Sequence, residues 1–180
     1  MTKPTISVTK LYEQSLVERG YKADAAQLKG IAALQRCQDE WSVYKGQRSN
    51  ALTKMLRYPV LPKGVYMYGG VGRGKSFIMD CFFNAVPLQR KPRLHFREFM
   101  REVHRQLHEL KGVQDPLEVL AKRMARKHRL ICFDEFHVAD VTDAMILHRL
   151  LDSLFANRVS IVTTSNFHPD ALYPNGLHRD

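Results

Sequence analysis

Cysteine is scarce in this sequence, and its spacing excludes the residue's commonest structural uses. Only Cys37, Cys81 and Cys132 occur among 180 residues. An odd number cannot pair completely in disulfides, and no C-x-x-C spacing is present. Free thiols are typical of a reducing compartment, so the sequence predicts a cytoplasmic protein.

Long apolar runs are missing as well. No stretch approaches the ~20 residues needed to cross a bilayer. The first twenty residues lack the apolar core of a signal peptide, and Glu13 and Glu18 argue against a transit peptide. We therefore expect no transmembrane segment.

Acidic residues are in the minority. The sequence contains 18 Asp and Glu and 28 Lys and Arg, which gives a formal net charge of +10. An excess of this size suits an acidic partner, which could be nucleic acid, an anionic membrane or an acidic protein. The basic residues are scattered, and the densest run, 122–129, lies on a predicted helix whose solvated face explains it. The charge therefore leaves nucleic acid possible as a partner, but no other feature of the sequence supports it.

What the sequence does contain is a glycine-rich loop, G-x-x-x-x-G-K-S, from Gly69 to Ser76. Glycines accept backbone angles that turn successive N–H groups inward around a phosphate chain. Lys75 can then reach the β- and γ-phosphates, and the Ser76 hydroxyl is placed to coordinate Mg²⁺. A predicted strand at 65–68 and a predicted helix at 76–85 supply the context that this motif requires. The stretch therefore predicts a nucleotide phosphate site.

A second motif is the apolar run 130–133, which is followed by Asp134 and Glu135. In enzymes with such a loop, the first acid helps to hold Mg²⁺ and the second can polarise the water that attacks the γ-phosphate. The pair comes about 55 residues after the loop with one predicted strand between, which is the usual arrangement.

Two weaker candidates have alternatives. Asn166 follows the predicted strand 159–164, where its amide could orient water or sense the γ-phosphate, or simply cap the next turn. His104 and His108 have a helical i, i+4 spacing that could hold a metal. The sequence suggests no carboxylate or third ligand near them, so they are predicted to be a solvated pair.

Strands alternate with helices after residue 64, which favours an α/β fold with a parallel sheet covered on both faces. Further strands are expected at 93–96 and 130–133, and further helices at 98–110, 116–127 and 140–155. Residues 1–21 are interpreted as a loosely held arm, 23–44 as a helix, and 46–50 as a break. Asp24 is the expected N-cap of that first helix, with Gln27 in capping-box position.

Taken together, the sequence resembles the ZapE family of cell-division-associated ATPases, also called AFG1-like ATPases, within the AAA+ superfamily. The resemblance runs from about residue 20 to the end, and its family-specific parts lie outside the generic loop. The matching stretches are 64–76, 94–96, 99–100, 115–117, 132–136, 140–144, 163–166, 172–173 and 175–177.

This resemblance implies a three-layer P-loop fold of the AAA+ type, with an arm and helix at 1–50 and the ATPase core at 51–180. Lys75 and Ser76 take the Walker A role, and Asp134 and Glu135 take the Walker B role. The implied catalytic residues are Glu135, Asn166 at the sensor-1 position, and Arg179 as an arginine finger that reaches a neighbouring subunit. ATP would contact Gly69, Gly70, Val71, Gly72, Arg73, Gly74, Lys75, Ser76 and Phe77, with Asp24 and Gln27 in the segment that approaches the adenine; Mg²⁺ would contact Ser76 and Asp134.

Members of the family continue past Arg179 into a fifth strand and a helical lid. The resemblance therefore implies a chain that lacks both, either a fragment or a truncated paralogue. In the strand order 5-1-4-3-2, this would leave the loop-bearing strand at an exposed edge. Nucleotide binding and ring formation are expected to weaken.

The implied function is Mg²⁺-dependent ATP hydrolysis that remodels a protein partner in cell division. The resemblance suggests the tubulin-like division protein FtsZ as that partner, with protein quality control as the role of mitochondrial members, and a homo-oligomer for the complete module. Two alternatives stay open. One is a nucleotide-gated binding module that does not hydrolyse, and the other is a DNA-associated AAA+ factor such as a helicase loader.

Overall fold

A parallel sheet with helices on both faces forms the protein. The structure is a computed structural model that describes residues 6–138 and 140–173. The strands are β1 Val65–Tyr68, β2 Arg93–His95, β3 Leu130–Asp134 and β4 Ser160–Ser165. The helices are α1 Val8–Arg19, α2 Ala25–Gln47, α3 Ala51–Leu56, α4 Lys75–Ala85, α5 Phe96–Glu109, α6 Pro116–Lys127 and α7 Val141–Ala156, followed by a 3-10 turn at Pro169–Ala171.

The strand order is β1-β4-β3-β2, and all three pairings are parallel. This confirms the α/β P-loop architecture and the order predicted for these four strands. Within the described residues, β1 pairs only with β4 and lies at one edge of the sheet. Because the strands are parallel, their carboxyl ends share one rim, where ligands bind in open α/β sheets.

Strand β3 is buried on both faces, as its uninterrupted apolar run predicts. Leu130 and Cys132 pack on one face in a core built with α1, α2 and α4. Ile131 and Phe133 pack on the other face with α5, α6 and α7. Two hydrophobic layers therefore hold the sheet in place, and the end of β3 has little freedom to move.

The prediction of a loose arm over residues 1–21 is wrong, because most of that segment is helix α1. Ser7 caps the helix by accepting a hydrogen bond from the third N–H after its own. Val8 and Tyr12 are fully buried. The Gln38 side chain of α2 accepts from the Val8 N–H at 2.9 Å and so fixes the start of the helix. The polar remainder of α1 hides this short apolar face from sequence periodicity.

The predicted break over residues 46–50 is confirmed in a shorter form, because only residues 48–50 are non-helical. Helix α2 continues to Gln47, and α3 begins soon after it. Asn50 caps α3 by accepting from the Thr53 N–H at 2.8 Å, and the Thr53 hydroxyl accepts from the Asn50 N–H at 3.1 Å. This reciprocal capping box, built on threonine, is what starts the extra helix. Other boundaries differ from those predicted by one or two residues.

All three cysteines are buried and free. Burial raises the pKa of the Cys37 thiol to about 12, and burial likewise raises that of Cys132 to about 12. Both groups are therefore neutral thiols that serve as small apolar core residues. In the described ranges, no helix is both long and apolar enough to traverse a lipid bilayer.

Gly64 sits where the chain enters β1 and passes very close to β4. A Cβ atom at this position would lie 1.9 Å from the carbonyl oxygen of Ile161, a backbone atom that cannot turn aside. We expect Gly64→Ala to lower the free energy of unfolding by about 1–3 kcal/mol, measured by urea denaturation. The matched control is Gly46→Ala in α2, where no heavy atom lies within 4 Å of the added carbon. Equal stability of the two variants would contradict this packing.

Candidate nucleotide-binding site

Three segments that the sequence singles out meet at the carboxyl rim of the sheet. The glycine-rich loop follows β1, the two acids stand at the end of β3, and Asn166 follows β4. The Gly69 N–H donates to the Ser165 carbonyl at 3.3 Å, which ties the loop to β4. The segments enclose a cavity of about 160 Å³ that is lined by Val71, Gly72, Lys75, Ser76, Glu135, Thr164, Ser165 and Asn166.

The loop has the backbone geometry of a phosphate cradle. Gly72 and Gly74 have φ angles of 78° and 74°, in the left-handed region that favours glycine. Gly74 is the N-cap of α4 and offers no side chain to its first N–H groups. Those donors, together with the helix dipole, are directed at the cavity and favour an anion there.

Lys75 reaches across the cavity mouth to the end of β4. Its Nζ donates to the carbonyl oxygens of Gly69 at 2.7 Å and Gly70 at 2.8 Å, and to Oδ1 of Asn166 at 2.9 Å. Burial lowers the pKa of the Lys75 ammonium. All three acceptors are neutral, so the ammonium has no counter-charge among these partners and suits a phosphate group.

The sequence left two roles open for Asn166, a contact with water or phosphate and a cap for the turn after β4. Its amide oxygen faces Lys75. The turn after β4 is instead capped by Ser165, whose hydroxyl accepts from the Phe167 N–H at 3.1 Å. The geometry therefore favours a role for Asn166 at the phosphate site over a capping role.

Asp134 is almost fully buried and is held by two side chains. Arg93 of β2 donates from Nε to Oδ2 at 2.6 Å and from Nη2 to Oδ1 at 3.3 Å. The Thr164 hydroxyl donates to Oδ1 at 3.4 Å. Arg93 Nη2 also lies 3.4 Å from the carbonyl oxygen of Ser76, so Asp134 and the first turn of α4 are neighbours.

Glu135 has the opposite environment to that of Asp134. It is exposed, and its φ angle of 59° lies in the left-handed region, which is strained for a residue with a side chain. Its N–H donates to the Thr164 hydroxyl at 3.2 Å. Across the described residues, its carboxylate takes part in no hydrogen bond or ion pair. The backbone thus directs an unpaired acid into the cavity beside Lys75.

Gln27 does not complete the predicted capping box. Its Oε1 accepts from the Tyr12 hydroxyl at 2.8 Å, and its Nε2 donates to the Arg73 carbonyl at 3.1 Å. Asp24 is the N-cap of α2 as predicted, and it lies 3.7 Å from the Arg73 guanidinium. Phe77, at the start of α4, packs with a ring-centroid distance of 5.7 Å against Tyr12. Helix α2 therefore contacts the loop directly, and α1 supports this contact through Gln27 and Phe77.

His104 is not simply solvated, because a carboxylate lies next to it. Its Nε2 is 2.7 Å from Oδ1 of Asp143, near the start of α7. The sequence prediction missed this contact because 39 residues separate the two. Among the described residues, no group of three or more His, Cys, Asp and Glu side chains could hold a metal ion.

Sequence reasoning also missed Arg93 and Thr164, which orient the acids. Arg93 belongs to no recognisable motif, and Thr164 lies in the matching stretch 163–166 without an assigned role; only the pairing of β2 and β4 with β3 brings both to Asp134. Arg179, the predicted arginine finger, lies outside the described residues, and its role stays a prediction.

Comparison with known proteins agrees with this geometry. The AFG1-like ATPase family model matches residues 5–180. Cell division protein ZapE of Escherichia coli (strain K12) is 52% identical over 117 residues, which are 65% of this chain and 31% of ZapE. Lactation elevated protein 1 homolog B of Danio rerio is 46% identical over 132 residues, 67% of this chain and 26% of that protein. The chain spans less than a third of the length of these relatives.

Two solved structures are similar in fold. DnaI has a TM-score of 0.53 at 17% identity, over 86% of this chain and 71% of its own. The DnaC helicase loader has a TM-score of 0.54 at 11% identity, over 89% of this chain and 76% of its own. At such low identity the likeness shows a shared fold alone. The family match, by contrast, covers nearly the whole sequence, and this chain belongs to the AFG1-like ATPase family.

Proposed function

We propose that this chain binds ATP together with Mg²⁺ and hydrolyses it. One observation carries the proposal: a phosphate-binding lysine, an unpaired acid and a polar amide converge on a single cavity at the carboxyl rim of the sheet. Membership in an ATPase family supports the same conclusion. Each group then has a role that follows from its surroundings.

Binding depends on the loop and on Lys75. The N–H groups at the start of α4 and the ammonium of Lys75 supply donors and positive charge for the β- and γ-phosphates. Gln27 and Phe77 place the N-terminal helices beside the loop, and we assign this side of the loop to the adenine.

The donor set around α4 fits magnesium. Mg²⁺ prefers hard oxygen ligands, and in nucleotide sites it takes one or two from the protein and the rest from phosphate and water. The Ser76 hydroxyl and the Asp134 carboxylate are such groups, and Arg93 touches both of these residues with one nitrogen. When bound there, the ion would neutralise charge that develops on the phosphates.

Hydrolysis is assigned to Glu135 and Asn166. The free carboxylate of Glu135 can accept a proton from a water molecule as that water attacks the γ-phosphate. Asn166 already accepts from Lys75 through Oδ1; this oxygen can also accept from the attacking water, or the Nδ2 group can donate to the γ-phosphate. Arg179 is proposed to act from a neighbouring copy, in an oligomer of the complete protein.

We further propose that hydrolysis drives remodelling of a protein partner in the cytoplasm. The support is the similarity to ZapE, which is named a cell division protein, and FtsZ is the partner to test first. The free buried cysteines fit a reducing compartment. The positive charge adds no comparable support for a nucleic-acid partner.

The test is phosphate release from ATP by the full chain at several protein concentrations, with and without EDTA. We expect release that requires magnesium and that EDTA abolishes, because Ser76 and Asp134 would hold the ion that neutralises charge on the phosphates. We also expect the rate per molecule to rise with protein concentration if a neighbouring copy contributes to the site. ATP binding without phosphate release at any concentration would contradict hydrolysis and favour the nucleotide-gated binding module.

A further inference from the structure

The Arg93 guanidinium is a cation lodged against the assigned magnesium ligand. It engages both oxygens of Asp134, through Nε at 2.6 Å and Nη2 at 3.3 Å. Its third nitrogen, Nη1, donates to Oδ1 of Asp80 on α4. One planar group therefore bridges two carboxylates on different elements, a geometry that lysine cannot reproduce.

The two carboxylates differ in exposure. The side chain of Asp134 is 11% exposed and that of Asp80 is 50% exposed. Burial opposes the charge on Arg93, but the hydrogen bonds that it donates to Asp134 and Asp80 outweigh this effect, so the pKa of the guanidinium lies above its ordinary value. A guanidinium is always protonated in proteins, and Arg93 keeps Asp80 as a second partner if a metal ion engages Asp134.

We propose that Arg93 is a positioning residue that holds the Asp134 carboxylate and competes with magnesium for it, with Asp80 retaining the guanidinium when the metal binds. This inference rests on the proposed function. A cation at Asp134 repels a second cation nearby and occupies lone pairs that a metal shell would use. Asp80 limits this cost because Arg93 can turn toward it without losing its only counter-charge.

The experiment titrates magnesium into the full chain and a fluorescent ATP analogue, and measures the magnesium concentration at which nucleotide binding tightens half-maximally. Arg93→Gln is expected to lower that concentration about tenfold, because it removes the two charge-assisted hydrogen bonds that compete with magnesium for the Asp134 carboxylate. Asp80→Asn is expected to raise it severalfold, because Arg93 then has only Asp134. The Arg93→Gln/Asp80→Asn double variant should match Arg93→Gln alone.

The double variant separates this mechanism from bulk electrostatics. If Asp80 acts merely as a nearby negative charge, its removal will raise the magnesium requirement equally with and without Arg93. Arg126→Gln and Asp152→Asn make the same charge changes on the exposed surfaces of α6 and α7 and should shift nothing. Should Arg93→Gln fail to fold, Arg93→Lys is expected to lower the magnesium requirement by a smaller factor. The lysine ammonium keeps the positive charge but cannot donate two parallel hydrogen bonds to the Asp134 carboxylate.

The inference is overturned if the Arg93 variants leave the magnesium requirement unchanged or raise it, or if Asp80→Asn acts equally in both backgrounds. A wild-type chain that binds the analogue without any dependence on magnesium would contradict the proposed function as well. A magnesium-dependent wild type with unshifted variants contradicts the role of Arg93 alone.

Discussion

Glu135→Gln is expected to stop ATP turnover while ATP stays bound. The amide has nearly the same shape as the acid but cannot accept the proton of an attacking water, and general-base catalysis is worth about 10²–10⁴ in rate. Glu135 is exposed, and its carboxylate pairs with nothing in the described part of the chain, so the change removes no stabilising contact. The measurements are phosphate release under saturating ATP and the affinity for a fluorescent ATP analogue.

Two features make this a selective test. The strained backbone at position 135 is held by the N–H bond to Thr164, which glutamine retains. Glu98→Gln, an exposed acid on α5 outside the 160 Å³ cavity, is the matched control and should leave turnover unchanged. If the Glu135→Gln and wild-type proteins hydrolyse ATP at the same rate, Glu135 is not the base.

Lys75→Ala is expected to abolish measurable ATP binding, a different failure from that of Glu135→Gln. Among the described residues that line the cavity, Lys75 is the only one with a positively charged donor. Charge-assisted hydrogen bonds contribute about 1.5–3 kcal/mol each. Loss of the contacts to the β- and γ-phosphates should therefore weaken ATP binding by roughly two orders of magnitude or more. Equilibrium titration with the fluorescent analogue gives the affinity directly.

The control for Lys75→Ala is Lys111→Ala, which removes an equal charge from an exposed turn after α5. Thermal unfolding of both variants shows whether the loss is local, since the ammonium of Lys75 also bonds Gly69, Gly70 and Asn166. An affinity for ATP that is the same in the Lys75→Ala variant and the control would remove the loop from the nucleotide site.

The parts of the fold that sequence predicts are those in which a local pattern has one physical explanation. The loop 69–76 has few alternatives because phosphate binding dictates its glycines, and β3 is predictable because strands buried on both faces are uniformly apolar. The start of α6 is predictable for a similarly local reason, because Asp115 is a favourable N-cap and Pro116 suits the first helical position.

The parts that escape prediction depend on partners distant in sequence. Helix α1 is held by Gln38, 30 residues away, and its own polar residues resemble those of a loop. Arg93 is an ordinary strand residue until β2 lies beside β3 and aligns it with an acid 41 residues later. The direction of the Asn166 amide could not be inferred before Lys75 was seen across the rim.

The bridge from Tyr12 through Gln27 to Arg73 has a practical consequence for handling the protein. A shortened version that starts near residue 21 looks harmless if the N-terminus is a free tail. It would in fact remove α1 from the core that this helix shares with α2 and α4. It would also uncover the ring of Phe77 and leave Gln27 without the Tyr12 hydroxyl that orients its amide. Tags and fusions at this end should therefore be joined through a spacer that leaves α1 packed beside the candidate nucleotide site.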